Sequence, residues 1–228
     1  MLDIEKLKEN AGVKAANLIE NEMLVGLGTG STATYMIEHL AKRIQSENLK
    51  IKAVSTSWST SLLCHQLQIP LLEINATSSL DIVIDGADEI DPQKNLIKGR
   101  GAAHMLEKVV ASMAKHYVII ADDAKKVNVL GENFAVPIEV LPSALSIVER
   151  KLTELRAKVK IRMGAPGKDG PIISDSGNLI VDAKFDSILD PQELNLQLNS
   201  IAGVLEHGLF VGMVDQVILA SPNGLIEF

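Results

Sequence analysis

Residues 83–91 read VIDGADEID, and four of these nine are carboxylates: Asp85, Asp88, Glu89 and Asp91. They follow Ile82-Val83-Ile84, a β-branched run suited to the end of a buried strand. Other groups able to do chemistry lie nearby. Lys98 opens the glycine-rich KGRGAA, Glu107 sits in the helical pattern AAHMLEKVVASMAK, and Lys125 follows the apolar YVIIAD. Upstream, GLGTGSTA (residues 26–33) joins an apolar run to another helical pattern. Its glycines let backbone N–H groups approach an anion. The following helix N-terminus adds partial positive charge, and Thr29, Ser31 and Thr32 offer hydroxyl donors around Gly30. The loop is therefore a candidate phosphate cradle. It lacks the Gly-Lys-Ser/Thr of a Walker A loop. The next strand, ending AVSTS, lacks the carboxylate that a dinucleotide fold uses on a ribose. The same loop would also serve as a plain turn with Ser31 or Thr32 as helix N-cap.

In the helix after Gly101, Ala102, Leu106, Val109, Val110 and Met113 form one apolar stripe, and Lys108 and Lys115 lie opposite. Glu107 falls at the border, beside Ala103, Ala111 and Ala114. Small neighbours leave room for a ligand against the carboxylate, and partial desolvation would raise its pKa and make it a better base. An ordinary exposed glutamate fits the same spacing. A phosphate cradle, the cations Lys98 and Lys125, the aspartates Asp85 and Asp88 and the base Glu107 suit one reaction class. That class is proton abstraction beside the carbonyl of a phosphorylated sugar, with cations and donors stabilising the enediolate oxygen. Glu89 and Asp91 are expected to cap or solvate the loop before Pro92. No metal is expected, because His39, His65, His104, His116 and His207 are scattered, with no ligand spacing near the acidic block.

The elements that must hold these groups alternate. Residues 4–20 read as a helix, 21–28 as a strand, 31–44 as a helix, 51–55 as a strand and 59–68 as a helix. IPLLEI (69–74) reads as a short strand, 80–87 as a stronger one, 102–115 as a helix and 117–122 as a strand. Apolar strands alternating with helices predict a parallel sheet covered on both faces. GLGTGST, STSWST, DGADEID and ADDAKK would all fall at the carboxyl ends of its strands, where sites in such sheets collect. From Gly131 the order becomes βαββαβ, the ferredoxin-like split motif. It runs through FAVPIEV, SALSIVERKLTELRA, KVKIRM, the turn-rich GAPGKDG, LIVDAKF, PQELNLQLNSI and GVLEHGLF. The expectation is an α/β protein: a Rossmann-like parallel-sheet domain, residues 1–130 plus 207–228, with an inserted ferredoxin-like α+β domain over 131–206. The tail DQVILASPNGLIEF reads as one more buried strand and a turn. The basic run ERKLTELRAKVKIR reads as a solvated face.

Composition narrows the partners. The 228 residues are 46% hydrophobic, enough for a substantial core, and the net charge of -7 disfavours nucleic acid. The one cysteine, Cys64, excludes an intrachain disulfide and lies in an apolar helical pattern that reads as core. No signal-peptide pattern and no apolar run near the roughly 20 residues of a membrane span is present. A cytoplasmic location is expected.

The same blocks resemble ribose-5-phosphate isomerase type A over essentially the whole chain. They are VGLGTGSTA, DIVIDGADEID, LIKGRGAAHMLEKVVA, IIADDAKKV, FAVPIEVLP and GVLEHGLFVGMVDQVI. The resemblance implies interconversion of D-ribose 5-phosphate and D-ribulose 5-phosphate in the pentose phosphate pathway, without metal or organic cofactor, by a dimer or tetramer. It implies that Thr29, Gly30, Ser31 and Thr32 bind substrate, that Asp85, Gly86, Ala87 and Asp88 line the sugar, and that Lys98, Gly99, Arg100 and Gly101 complete that wall. Glu107 would be the proton acceptor, with Asp85 and Lys98 assisting. Lys125 would be a second substrate lysine, and Lys8 matches a further N-terminal one more loosely. Two positions depart from the pattern. Arg100 replaces a glycine and would be strained if its φ were positive. Leu106 replaces a polar or basic residue. The rival readings are a non-catalytic sugar-phosphate sensor and another sugar-phosphate isomerase or transferase on a similar fold.

Overall fold

The computed structural model describes residues 4–164 and 167–228, so Ala165 and Pro166 of the expected GAPGKDG turn lie outside the described residues. In chain order the elements are α1 (Ile4–Ala16), β1 (Leu24–Leu27), α2 (Ser31–Glu47), β2 (Lys52–Ser55), α3 (Trp58–Gln66), β3 (Ile82–Asp85), β4 (Glu89–Ile90), β5 (Leu96–Ile97), α4 (His104–Ser112) and β6 (Tyr117–Asp122). There follow β7 (Val136–Val140), α5 (Leu145–Glu154), β8 (Lys158–Ile161), β9 (Leu179–Lys184), α6 (Pro191–Asn199), β10 (Val204–His207), β11 (Leu209–Phe210), β12 (Gln216–Ser221) and β13 (Gly224–Glu227). The chain forms two compact units. One comprises Met1–Ala87, Leu106–Lys125 and Met213–Phe228, and the other Asp88–Met105 and Lys126–Gly212.

The first unit is built on a six-stranded sheet of order β13-β12-β6-β3-β1-β2, parallel except for the β12–β13 hairpin. β6 is buried along its whole length, as expected of a parallel strand covered on both faces. Period-two alternation sends Val25, Leu27, Ile82, Ile84, Val118 and Ile120 into one core with Leu7 and Ala11 of α1 and Met36 and Leu40 of α2. On the opposite face a side chain at Gly26 would collide with Val83 and with Val110 of α4. β2 and β3 flank β1 on opposite sides, so the strand order reverses there. In open α/β sheets ligands bind at the carboxyl ends of the strands beside such a reversal.

The second unit holds a four-stranded antiparallel sheet of order β10-β7-β9-β8 and a three-stranded sheet of order β11-β5-β4. The first has the strand order of the ferredoxin-like motif, with α5 and α6 as its helices. Val136, Ile138, Val148, Leu152, Val181, Leu194 and Leu198 form its core.

Three expectations are corrected. IPLLEI is not a strand of the sheet: among the described residues it forms a single bridge, between Leu71 and Ala53, and Pro70 and Leu71 are exposed. GVLEHGLF is two strands in two different sheets, divided at Gly208. The Gly208 N–H donates to the Pro137 carbonyl at 2.7 Å and its carbonyl accepts from the Lys98 N–H at 2.8 Å, which hands the chain from one sheet to the other. The tail forms a two-stranded hairpin, not one strand and a turn.

Asp91 caps the local loop, as expected, whereas Glu89 leaves the loop before Pro92 and caps residues 131–134 instead. Asp91 accepts from the Gln93 and Asn95 N–H groups and closes the β4–β5 turn. Glu89 is fully buried and accepts backbone N–H bonds from Gly131 at 2.6 Å, Asn133 at 2.5 Å and Phe134 at 2.7 Å. Truncating it strands three donors. Glu89→Ala is expected to lower unfolding stability by about 3 kcal/mol, measured as a lower urea midpoint at unchanged slope. A midpoint equal to the parent's would refute this role.

Candidate active site

In the first unit the glycine-rich loop leaves β1 and enters α2. Gly30 is the N-cap residue, at φ 112, and no side chain caps the helix. Ser31 and Thr32 lie in the first turn instead of capping it, which corrects the alternative reading of this loop. The N–H groups of that turn stay available to an anion. Gly28 is demanded by Asp85: a Cβ there would lie 2.2 Å from Asp85 Oδ1. The bare glycine lets the ends of β1 and β3 close up. The fully buried Asp85 then accepts N–H bonds from Thr29 at 2.9 Å and Gly86 at 2.7 Å through Oδ1. One carboxylate therefore ties the two loops that flank the strand reversal.

The Thr29 hydroxyl turns inward. It donates to Ser57 at 2.7 Å and shares hydrogen bonds with Thr56 at 2.8 Å and Thr60 at 3.1 Å. Thr60 Oγ1 in turn donates to the Gly28 carbonyl at 2.8 Å, and Ser57 caps α3 by accepting from the Thr60 N–H. Thr29 therefore holds the cradle's shape, and the loop's hydroxyls outside this knot belong to exposed Ser31 and to Thr32. Sequence reasoning missed Thr56, Ser57 and Thr60 as partners of the cradle. The available signal was the hydroxyl density of STSWST at a strand end.

Glu107 lies on the buried face of α4, only 4% exposed. The expected stripe is corrected here. Val109 is exposed, and the buried positions of α4 are His104, Glu107, Val110 and Ala111. The carboxylate thus belongs to the face of the helix that would ordinarily be apolar. A one-turn 3₁₀ helix, Asp123–Lys125, follows β6 and half-buries Lys125. Lys8 on α1 pairs with Glu5 at 2.7 Å, and the Tyr35 hydroxyl of α2 donates to the same carboxylate at 2.9 Å. Lys8, and after it Tyr35, hold the Glu5 carboxyl below the usual carboxylate range. Burial pushes the Cys64 thiol up to about 11, which fits its reading as core.

In the second unit Lys98 follows β5 and is 2% exposed, its ammonium 5.5 Å from the centre of the Phe210 ring. The Lys98–Gly101 loop answers the question of Arg100. Gly99 takes φ 100 and Ala102 φ 62, whereas Arg100 is not among the described residues with positive φ. The left-handed positions flank the arginine, so its side chain costs no backbone strain. Gly99 cannot be replaced so easily, because a Cβ there would lie 2.7 Å from His104 Nδ1. The Ala102 N–H closes the turn onto the Gly99 carbonyl at 3.0 Å. Asp88 accepts the Arg100 N–H at 3.0 Å.

Residues 52–224 match the family described as ribose 5-phosphate isomerase A (phosphoriboisomerase A). The chain belongs to the ribose-5-phosphate isomerase A family. The ribose-5-phosphate isomerase A of Trichodesmium erythraeum is 47% identical over 220 residues, which span 96% of this chain and 92% of that protein. A solved ribose 5-phosphate isomerase A from Methanocaldococcus jannaschii superposes with a TM-score of 0.94 at 40% identity, covering 98% of both chains. A D-ribose-5-phosphate isomerase in complex with phospho-erythronic acid superposes with a TM-score of 0.97 at 39% identity, covering 100% of this chain and 99% of that one. Family membership makes the protein an isomerase, and the sensor reading is not favoured. Among the described residues no helix is long and apolar enough to cross a membrane.

Proposed function

We propose that this isomerase interconverts D-ribose 5-phosphate and D-ribulose 5-phosphate by moving one proton between C2 and C1 of the open-chain sugar, through an enediolate and without a metal. The observation that carries the mechanism is Glu107, a carboxylate on the buried face of a helix among alanines. Burial shields such a group from water, which supports its assignment as the base. The phosphate is assigned to the uncapped N-terminus of α2 with Ser31 and Thr32, and to Lys125 and Lys8. Thr29 and Gly30 shape that cradle. Asp85, Gly86, Ala87 and Asp88 are assigned to the sugar hydroxyls. Lys98, with Gly99, Arg100 and Gly101, is assigned to the oxygen that becomes negative in the enediolate.

The related structure holding phospho-erythronic acid supports this reading. That compound is a phosphorylated hydroxy acid, whose planar carboxylate presents oxygens much as an enediolate would. It is expected to inhibit this enzyme in competition with ribose 5-phosphate.

The test is formation of ribulose 5-phosphate from ribose 5-phosphate in buffer containing a metal chelator. Sustained turnover supports the reading. A folded protein that turns over only after a divalent metal is restored would overturn the metal-free step.

The family resemblance further supports a cytoplasmic dimer or tetramer. Sedimentation at micromolar concentration checks the assembly, and a monomer there would refute it. The ferredoxin-like strand order supports residues 131–206 as a folding insert in a catalytic domain of 1–130 plus 207–228. Limited proteolysis should then cut near 131 and 206, and cuts confined to other sites count against that division.

A further inference from the structure

One charged side chain of the ferredoxin-like sheet is spent on the Lys98–Gly101 loop. Arg162 follows β8 and ends the basic run expected to be a solvated face. Its side chain is instead 14% exposed. Nε donates to Asp182 Oδ2 at 2.9 Å, and Nη2 donates to Asp182 Oδ1. Nη1 donates to the carbonyls of Gly99 and Arg100, both at 2.9 Å. The guanidinium thus commits four of its five N–H donors, two to a carboxylate and two to consecutive peptide carbonyls. Asp88 takes the Arg100 N–H from the same loop. Asp88, Arg100, Arg162 and Asp182 line one pocket of about 340 Å³ with Phe134 and Pro137.

We propose that Arg162 is a positioning residue for the Lys98–Gly101 loop, oriented by Asp182. It fixes the Gly99 and Arg100 peptide planes that follow Lys98 and so the path by which the main chain leaves the lysine. The proposal rests on the assignment of Lys98 to the substrate. A planar fork is needed for the task. It reaches a carboxylate with one edge and two carbonyls with the other, whereas a lysine ammonium is a single point of charge without that geometry. Arg162 thereby acts on the reaction through the backbone of the loop.

Four variants test this: Arg162→Met, Arg162→Lys, Asp182→Asn and Lys98→Met, with the double variant Arg162→Met/Lys98→Met. Arg162→Met is expected to lose kcat by about 10–100-fold, with a much smaller change in KM, because small misplacement of a reacting group has effects of that size. Arg162→Lys should stay close to Arg162→Met, since charge alone does not restore the fork. In the double variant Arg162→Met should add nothing to the loss from Lys98→Met, because it acts only through that loop. A folded Arg162→Met with parental kcat, or losses that multiply in the double variant, would overturn the proposal.

If Arg162→Met does not fold, Asp182→Asn decides. It keeps the volume and one acceptor, and should lower kcat by about 3–10-fold with KM little changed. Parental kcat in Asp182→Asn would then sink the idea. The premise fails separately. If Lys98→Met itself keeps parental activity, the assignment of Lys98 is wrong. If Lys98→Met is inactive and Arg162→Met is not impaired, only the role of Arg162 is wrong.

Discussion

Glu107→Gln is expected to fold as the parent does and to lose at least about 10²-fold in kcat, and up to about 10⁴-fold. Glutamine matches the volume and helix preference of glutamate and keeps a polar group in the same buried position, so α4 should pack unchanged. What disappears is the basic carboxylate that takes up the proton, since an amide oxygen accepts hydrogen bonds but is not basic. Uptake of deuterium from solvent into the sugar should fall in step with turnover, because both depend on the same proton transfer. The acid limb of the pH–rate profile, set by the essential base, should vanish with it. A variant within about fivefold of the parent would remove Glu107 as the base, since general-base catalysis is worth far more than that.

Gly28→Ala has the second-largest expected effect, and it acts on both stability and activity. The added methyl would lie 2.2 Å from Asp85 Oδ1 and 2.5 Å from Asp85 Cα. Neither neighbour is the far end of a flexible chain, so the ends of β1 and β3 must separate. That movement strains the Gly28 N–H bond to the Ile84 carbonyl and the Thr29 N–H bond to Asp85, both 2.9 Å long in the intact protein. Overpacking and the weakened bonds together should cost about 3 kcal/mol. Displacing the cradle by about an ångström should lower kcat/KM by roughly 100-fold. Thermal melting and steady-state kinetics on the same preparation read both effects. Parental values in either would show that the two strand ends have more slack than the geometry allows.

The sequence made some of this architecture legible and hid other parts for physical reasons. β6 is readable to the residue because the continuous apolar run Tyr117–Ala121 is closed by Asp122. The acidic block is readable because carboxylates after a β-branched run are conspicuous. IPLLEI carries the same apolar signature but pairs by a single bridge at the sheet margin, and strand pairing is not encoded in hydrophobicity alone. The burial of Glu107 was readable only in part: periodicity put it at the border of the apolar stripe beside small residues, and could not carry a carboxylate onto the buried face itself. Arg162 escaped for the same reason. A basic run looks solvated until the one member that turns inward is seen with its acceptors, two of which are backbone carbonyls without any sequence identity. Thr29 was readable as part of the cradle, but its inward rotamer depends on Thr56, Ser57 and Thr60, which lie far from it in the chain.

The sheet order has a bearing on how the protein is made. β12 pairs in parallel with β6, yet residues 126–212 are synthesised between them. While the ribosome is still translating that stretch, β6 has an open edge of unpaired peptide groups. The antiparallel sheet of β7–β10 is complete in sequence before β12 is made and can close first. A released fragment ending at residue 215 should therefore display a protease-resistant ferredoxin-like part beside a sticky, incomplete parallel sheet. Chaperone demand during synthesis should fall on that sheet.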